Sequence, residues 1–293
     1  MPWAGARGLS SKLMNCGTLY LIATPIGNLE DISARALRLL GEVDLIACED
    51  TRHTAKLLSH YGITTPRESY HEHNEASRAP QLIELLKSGR NIALVSDAGS
   101  PLLSDPGYTL VSGCRQAGIA VSAIPGPSAA ITALTGSGLP SDSFFFVGFL
   151  PSRAAWRRRR LQEISSIPST LVIYEAPHRL LGSMADMVQL LGNRKACLAR
   201  ELTKIHEEWV AGTLQEILDH MSIREQIKGE ITLVVVKGEA AAQPDDWPVS
   251  IREHLEQEIK ETGVSHKEAL KSVARKRGLS RKDAYRMLVS DKS

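Results

Sequence analysis

The sequence predicts an α/β protein with two α/β domains, over residues 17–140 and 141–240, and a small helical domain at its C-terminal end. Three observations support this prediction. Short apolar runs rich in β-branched residues alternate with helix-like segments through the first half of the chain, a more closely spaced set follows Pro140, and helix-capping patterns mark the end of the chain. A chain of 293 residues also exceeds the size that one hydrophobic core usually serves.

The first predicted domain contains four strand-like runs. They are GTLYLIA (17–23), DLIACE (44–49), NIALVSD (91–97) and IAVSAI (119–124). The amphipathic stretches between them are long enough for helical crossovers, which predicts parallel strands. Ligands of such sheets bind where the strands end at their carboxyl edge, so the loops after these runs are candidates for a binding site.

The second predicted domain contains five further runs. They are FFFVGFL (144–150), TLVIYEA (170–176), ACLARELT (196–203), EWVAGT (208–213) and EITLVVVK (230–237). EWVAGT follows ACLARELT after only a few residues, which is too short for a helical crossover. The sequence therefore predicts a mixed sheet.

The C-terminal part is predicted to be helical and basic. Residues 241–250 have the composition of a linker, and residues 251–293 contain capping boxes that begin at Ser265 and Ser280, with Gly278 ending the first of these two helices. This arrangement resembles a helix-turn-helix. From His266 onward, nine Lys or Arg residues stand against three acidic residues, a local charge of +6 in a chain of net charge +2. The asymmetry predicts a polyanionic partner for this basic tail.

Composition disfavours several classes of protein. The four cysteines form no C-x-x-C pair, so neither a zinc site nor a disulfide framework is indicated, and a reducing, cytoplasmic location is expected. No apolar run approaches the roughly 20 residues that cross a bilayer. Residues 1–16 lack the apolar stretch of a secretory signal and are interpreted as a disordered extension.

Three loops follow three of the predicted parallel strands. They are ATPIGN (23–28), VSDAGSPLLSDPG (95–107) and AIPGPSAA (123–130). Glycines allow close backbone approach to a ligand, prolines hold the turns rigid, and Asp97 offers a carboxylate. Each loop alone is consistent with a tight turn, but their recurrence after successive strands predicts a ligand site. The sequence contains neither G-x-G-x-x-G nor a P-loop motif, which disfavours a dinucleotide enzyme and a P-loop NTPase.

Eight sequence blocks give the chain a resemblance to a known family. They are TPIGNLEDIS (24–33), CEDTR (48–52), SDAGSPLLSDPGY (96–108), IPGPSA (124–129), GFLP (148–151), YEAPHR (174–179), ARELTKIHEE (199–208) and GEITLVV (229–235). In order and spacing they resemble the bacterial 16S rRNA 2′-O-ribose methyltransferase I family over nearly the whole chain. The resemblance implies two α/β domains of tetrapyrrole-methylase type, with S-adenosylmethionine in the crevice between them, and usually a homodimer.

The resemblance also implies a substrate and a set of cofactor contacts. The substrate would be a decoding-site cytidine of 16S rRNA in the small ribosomal subunit, methylated on its ribose 2′-hydroxyl. The porphyrinoid branch of the fold typically carries G-x-G-P-G-D where this chain has TPIGN, which shifts the expectation away from tetrapyrroles. Carried over by motif, the cofactor contacts are Pro25, Ser96, Asp97, Ala98, Gly99, Ser128, Ala129, Glu175 and Gly212.

A base would help the transfer, because a ribose hydroxyl is a weak nucleophile until its proton has an acceptor. The candidates are Lys204, Glu201, Asp50 and Glu49, with His71, His73 and His206 as further possibilities. Lys204 leads, as a base or as a group that orients the hydroxyl, and strand alternation places it on the face opposite Glu201. Asp50 has a second interpretation, as the cap of a helix that begins at Thr51. No metal site is expected, because H-x-H has no further ligand cluster and the chemistry needs no metal.

The arginine run at 157–160 predicts contacts to phosphate. Positive charge near a helix N-terminus opposes the helix dipole, so local helix stability does not explain the run. Arg52 could hold phosphate or pair with Glu49 or Asp50. The predicted RNA contacts are Arg52, Arg153, Arg157, Arg158, Arg159, Arg160, Lys271, Arg275, Lys276, Arg277, Arg281 and Lys282.

Two alternative functions stay open on sequence alone. One is a methyltransferase of the same fold that acts on a porphyrinoid or another small molecule, which leaves the arginine run and the basic tail unexplained. The other is a non-catalytic RNA-binding or ribosome-binding protein, which leaves the three strand-end loops unexplained.

Overall fold

The computed structural model describes residues 16–238, 250–277 and 279–290. The chain divides into two compact units, one that ends at Gly238 and one that begins at Glu239. The predicted extension at the N-terminus, most of the predicted linker and Gly278 lie outside the described residues. No helix in the described ranges is long and apolar enough to span a membrane.

The first unit opens with a parallel sheet, as the sequence predicted, but the sheet has five strands rather than the four recognised in the sequence. Its strands are β1 (Thr18–Ile22), β2 (Leu45–Cys48), β3 (Arg67–Ser69), β4 (Ile92–Val95) and β5 (Ala120–Ile124), in the spatial order β3-β2-β4-β1-β5. The central strands β2 and β4 are apolar and buried at every position, because helices cover both faces of the sheet. The helices are α1 (Ala34–Glu42), α2 (Thr51–His60), α3 (Glu75–Lys87), α4 (Tyr108–Gln116) and α5 (Ala129–Gly136).

Strand order explains why the three predicted loops meet. β4, β1 and β5 are neighbours, so the loops that follow them leave the same edge of the sheet side by side. The first two loops are also joined directly, because Thr24 and Gly99 exchange backbone hydrogen bonds of 2.9 and 3.0 Å. Gly99 has a φ of 80°, a conformation that favours glycine.

The second sheet is mixed, again as predicted. Its strands are β6 (Phe144–Phe149), β7 (Thr170–Glu175), β8 (Lys195–Arg200), β9 (Glu208–Thr213) and β10 (Ile231–Val235), in the order β6-β7-β10-β8-β9. Only β6 and β7 are parallel, and the other neighbouring pairs are antiparallel. The helices α6 (Ala154–Ile164), α7 (Leu180–Leu191) and α8 (Leu214–Ser222) cover it.

One expectation about the second sheet is wrong. The run 196–203 does not continue as a strand past Arg200, because Glu201 and Thr203 have φ values of 53° and 65° and form a tight turn. Strand alternation therefore does not apply, and Glu201 and Lys204 do not face opposite ways. Lys204 Nζ instead donates to Glu201 Oε1 at 2.8 Å.

Helix α5 packs between the two sheets. Ala130, Ala133 and Leu134 share an apolar cluster with Val172 of β7 and Val234 of β10. Ile26, from the loop after β1, belongs to the same cluster, so the second sheet packs close to the strand-end loops of the first. The crevice between the sheets thus opens beside these loops.

The second unit is a three-helix cluster of α9 (Ile251–Thr262), α10 (His266–Lys276) and α11 (Arg281–Ser290). The serines of the two predicted capping boxes do cap α10 and α11, accepting from Glu268 N at 3.4 Å and Asp283 N at 3.1 Å. Arg277 differs from its expected role. It donates to His254 Nδ1 at 3.0 Å and to Ser250 O at 2.9 Å, so it joins helices of this unit rather than offering a free cation to RNA.

Candidate functional site

Two cavities lie side by side in the first unit, and we refer to them as the larger and the smaller cavity. The larger cavity has a volume of about 420 Å³, and the smaller one of about 310 Å³. Both lie within the range of roughly 300–1,000 Å³ that is typical of ligand pockets. They share one wall, formed by Ile26, Asp97, Ala98 and Glu230.

The loop over residues 96–107 forms the rim of the larger cavity, and its backbone is strained. Leu102 and Ser104 have φ values of 71° and 70°, and non-glycine residues rarely adopt this conformation. The start of the loop is fixed by Ser96, whose hydroxyl donates to Gly99 O at 3.1 Å and whose carbonyl accepts from Thr24 Oγ1 at 3.0 Å. Left-handed backbone of this kind is common at ligand sites, because it directs backbone N–H and C=O groups toward the ligand.

Most of the predicted cofactor residues come together here. Asp97, Ala98, Gly99, Ser128, Ala129 and Glu175 line the larger cavity. Pro25 lines the smaller cavity instead, and Ser96 is buried beneath the loop that it holds.

Gly212 does not belong to this group. It pairs with Ala196 on the edge strand β9, whereas Glu175 and Arg200 both pair with Ile231 at the opposite end of the sheet. Because β8 and β9 run antiparallel, a motif late in β9 lies far from the end of β8. The expectation that Gly212 contacts the cofactor is therefore wrong.

Glu175 places a buried, incompletely satisfied carboxylate in the larger cavity. Its Oε1 accepts from Ala176 N at 2.8 Å and from the Arg179 guanidinium, while Oε2 is buried with no hydrogen-bond partner. An unpaired buried oxygen of this kind carries a desolvation cost that a ligand donor would relieve. The cavity thus fits a ligand with hydrogen-bond donors near Glu175.

Four more carboxylates line the cavity: Glu49, Asp97, Asp105 and Glu230. Burial raises the pKa of Asp105 to about 6, and the charge of Glu49 adds to that effect. Burial likewise raises the pKa of Glu49, with a further contribution from Asp97. Carboxylates that raise one another's pKa are stabilised by a cationic ligand.

The four predicted catalytic residues form two pairs: Glu201 and Lys204 are joined by a hydrogen bond, and Glu49 and Asp50 are adjacent in the chain. Asp50 caps α2 and accepts from Arg52 N and Arg52 Nη2, both at 2.8 Å, and its hydrogen bonds to Arg52 hold its pKa far below the usual value. The hydrogen bond from Lys204 lowers the pKa of Glu201. Because their pKa values are lowered, the carboxylates of Asp50 and Glu201 are poor proton acceptors. Glu49 has a raised pKa and is better suited to accept a proton.

Lys204 is held as a cation. Burial alone would lower its pKa, but the hydrogen bond to Glu201 and the charge of Glu230, whose Oε2 lies 3.2 Å away, outweigh burial and raise the pKa overall. A lysine with a raised pKa is a poor base at neutral pH. The geometry therefore supports the orienting role for Lys204 and argues against its role as a base.

Several lining residues were not singled out from the sequence. Phe149, Tyr174 and the segment 229–232 complete the larger cavity. Tyr174 accepts a hydrogen bond from Ala130 N at 3.1 Å through its hydroxyl, which links β7 to the start of α5. The blocks YEAPHR and GEITLVV contained these residues, and the alternation of β7 places Tyr174 with Val172 on the face that packs against α5.

The predicted histidine candidates lie apart from one another. His71 and His73 have ring centroids 6.0 Å apart, and His206 lines a separate surface cavity with Arg200 and Arg224. Among the residues that the structure describes, no group of three His, Cys, Asp or Glu side chains is placed to hold a metal ion.

The arginine run does not act as one surface. Arg157 is buried and its Nη2 lies 2.6 Å from Asp186 Oδ2, so its position in the fold contradicts the expectation that it contacts RNA. Arg158 shares Asp186 but keeps 57% of its side chain exposed. Arg159 and Arg160 pair with Glu163, and Arg153 is exposed at the start of α6. The helix thus points one arginine inward and leaves the others near solvent.

The other predicted RNA contacts have varied surroundings. Arg52 is 89% exposed and pairs with Asp50, and Lys271 and Lys282 are exposed on α10 and α11. The side chains of Arg275, Lys276 and Arg281 lie outside the described part of the chain.

Comparisons with known proteins agree with this geometry. The family model for tetrapyrrole (corrin/porphyrin) methylases matches residues 18–218. The ribosomal RNA small subunit methyltransferase I of Halalkalibacterium halodurans is 50% identical over 274 residues, covering 92% of this chain and 94% of its own. The protein of the same name from Escherichia coli O157:H7 is 52% identical over 231 residues, covering 78% and 80%.

Solved structures share the fold. The crystal structure of uroporphyrin-III C-methyltransferase from Thermus thermophilus complexed with S-adenosylhomocysteine superposes with a TM-score of 0.51 at 20% identity. It covers 76% of this chain and 98% of that one.

Proposed function

The chain belongs to the tetrapyrrole (corrin/porphyrin) methylase family and, within it, to the ribosomal RNA small subunit methyltransferase I family, and we infer from this that it methylates small-subunit ribosomal RNA with S-adenosylmethionine as the methyl donor. The acceptor that we propose is the ribose 2′-hydroxyl of a decoding-site cytidine. The observation that carries the proposal is the larger cavity, whose lining combines three strand-end loops with acidic side chains.

The residues of the larger cavity fit S-adenosylmethionine. Glu175 Oε2 lacks a donor, and Glu49, Asp97 and Asp105 together favour a positively charged ligand. We propose that Asp97, Ala98, Gly99, Ser128, Ala129 and Glu175 hold the cofactor, with Asp105 and Tyr174 completing the contacts. When bound, the cofactor supplies a methyl group on a positively charged sulfur, and the ribose oxygen takes that methyl while the sulfur keeps the electrons of the broken bond.

The protein's own contribution is positioning and proton removal. Holding two reactants in line accounts for much of the rate of such a displacement. We propose that the Glu49 carboxylate accepts the hydroxyl proton, since burial raises its pKa and Glu49 lines the larger cavity. Lys204 stays charged and orients the substrate beside the shared wall.

Contacts to RNA outside the cavities would come from exposed cations. Lys271 and Lys282 of the second unit and Arg153, Arg158, Arg159 and Arg160 of α6 are candidates, because phosphate contacts position a protein without reading sequence. We also propose that the enzyme acts as a homodimer on the small ribosomal subunit. Sedimentation of the purified protein tests the first part of this proposal.

One labelling experiment tests the function. The protein is incubated with methyl-labelled S-adenosylmethionine and, in separate reactions, undermethylated small subunits, free 16S rRNA and a porphyrinoid. We expect label on a single cytidine ribose in the RNA. Label on the porphyrinoid alone would contradict the RNA assignment, and label on the base of a nucleotide would contradict the ribose assignment.

A further inference from the structure

The smaller cavity lies on the far side of the wall that bounds the larger one. Its lining comes from the loop after β1, from the first turns of α2 and from Asp97 and Ala98 after β4. Lys204, in the turn after β8, and Glu230, just before β10, complete it. The assignment of the cofactor to the larger cavity leaves open which part of the substrate occupies this space. Its volume of about 310 Å³ is comparable to that of the smallest ligand pockets.

Contacts between the two sheets form the smaller cavity. Asn28 N donates to Thr203 Oγ1 at 3.0 Å, which joins the loop after β1 to the turn after β8. A Cβ on Gly27 would lie 2.8 Å from the same Thr203 oxygen and would overlap Lys204 Cγ, so only glycine allows this approach. The shape of the cavity is therefore set by both halves of the first unit.

Helix α2 presents an uncommitted lysine and an uncommitted histidine to this space. His53 and Lys56 are three residues apart on the helix and therefore share a face, and both line the cavity. Within the part of the chain that the structure describes, neither side chain forms an ion pair or a side-chain hydrogen bond. The neighbouring cations differ, since Arg52 is held by Asp50 and Lys204 by Glu201 and Glu230.

The rest of the lining is largely apolar. Pro25, Ile26, Leu29 and Leu57 provide surfaces against which a sugar or a base could pack. An apolar surface with Lys56 and His53 at one side and two carboxylates, Asp97 and Glu230, at the shared wall matches the parts of a nucleotide. Its base and sugar need contact surface, its phosphate needs positive charge, and its hydroxyl needs a polar neighbour.

We propose that the smaller cavity binds the acceptor nucleotide, with its ribose against the shared wall and its phosphate on His53 and Lys56. This inference rests on the proposed function, because it takes the larger cavity as the cofactor site. The wall of Ile26, Asp97, Ala98 and Glu230 is then the place where the ribose hydroxyl meets the methyl group. His53 and Lys56 act as positioning residues.

The test compares charge removal at these positions with a matched control on the same helix. His53→Ala, Lys56→Ala and Lys56→Arg are set beside His60→Ala, since His60 is exposed on α2 and lines neither cavity. Each variant is assayed for KM and kcat with RNA over a range of salt concentrations, and for S-adenosylmethionine affinity by calorimetry.

We expect Lys56→Ala to raise KM for RNA about tenfold. The slope of log RNA affinity against log salt concentration should become shallower by about one, as expected for the loss of one phosphate contact. Lys56→Arg, which keeps the positive charge, should have a KM close to that of the parent protein. The affinity of every variant for S-adenosylmethionine should stay within about twofold of the parent. A higher KM without loss of cofactor binding indicates a substrate contact. His53→Ala should act in the same direction, and His60→Ala should resemble the parent protein.

Two results would overturn the proposal. One is a KM for Lys56→Ala and His53→Ala equal to that of His60→Ala. The other is a loss of cofactor affinity that matches the rise in KM, which would place these residues at the donor. Failure of the proposed function is recognised separately, because the parent protein itself would then leave small-subunit RNA unlabelled.

Discussion

The buried ion pair between Arg157 and Asp186 leads to a prediction that separates a structural arginine from an RNA-binding one. The two side chains are 9% and 5% exposed. Removing one partner of a buried pair costs about 3–5 kcal/mol, because the other charge is left buried without compensation. Arg158 Nε still donates to Asp186 Oδ1 at 2.7 Å, so for Arg157→Met we expect the lower end of that range, about 3 kcal/mol.

Urea and thermal unfolding measure this loss. A cost of about 3 kcal/mol corresponds to a drop in Tm of roughly 6–12 °C for a protein of this size. Arg158→Met is the matched control, and its exposed side chain predicts a loss of less than about 1 kcal/mol. The double variant Arg157→Met with Asp186→Leu should regain much of the stability, since no unpaired buried charge remains.

RNA affinity should rank the variants Arg157→Met and Arg158→Met in the order opposite to stability. We expect Arg158→Met to weaken RNA binding, and folded Arg157→Met to bind RNA as the parent protein does. Unchanged stability of Arg157→Met together with a loss of RNA affinity equal to that of Arg158→Met would refute the structural assignment of Arg157.

Three further predictions concern the cavities and the basic tail. Asp97→Ala should weaken S-adenosylmethionine binding while the far-UV circular dichroism spectrum stays that of the parent, and unchanged affinity by calorimetry would remove Asp97 from the cofactor site. Asp105 has a pKa raised to about 6, so between about pH 4 and pH 6 its ionisation destabilises the folded protein as pH rises. A cationic ligand lowers that pKa, so binding of S-adenosylmethionine near pH 6 should release a proton from Asp105. Calorimetry in buffers of different ionisation enthalpy measures this release, which should disappear in Asp105→Asn. A chain that ends at residue 248 should lose RNA affinity and salt dependence but keep its cofactor affinity, and equal salt slopes for the two chains would show that the tail does not contact RNA.

Apolar patterning allowed most of the strands to be predicted. β2 and β4 are four-residue runs buried at every position, and such runs can be recognised from composition alone. β3 was missed because its sequence, Arg67-Glu68-Ser69, contains no apolar residue and all three positions are exposed at the sheet edge. An edge strand of this kind is specified by its neighbour β2 rather than by its own pattern.

The site was predictable where motifs follow strands and less so where it depends on packing. Asp97, Gly99 and Ser128 could be placed because the loops of adjacent parallel strands leave the same edge of a sheet. The inward direction of Arg157 could not be predicted, because it depends on Asp186, twenty-nine residues away in the chain. The turn at 201–204 was hidden because left-handed backbone at Glu201 and Thr203 has no sequence signature in these residue types.

The wall of Ile26, Asp97, Ala98 and Glu230 makes the two cavities thermodynamically dependent on each other. A shift of Asp97 or Ala98 toward one cavity changes the space on the other side of the wall, so a ligand that moves the wall alters the affinity of its neighbour. Such coupling is reciprocal, and whatever factor cofactor binding applies to RNA affinity, RNA binding applies to cofactor affinity. On the proposed assignment, with the cofactor in the larger cavity and the acceptor nucleotide in the smaller one, transfer would remove the positive charge that Asp97 attracts. The same wall would then change the affinity for the methylated ribose. Methyl transfer from the larger cavity would thereby affect the rate at which the methylated RNA leaves the smaller cavity.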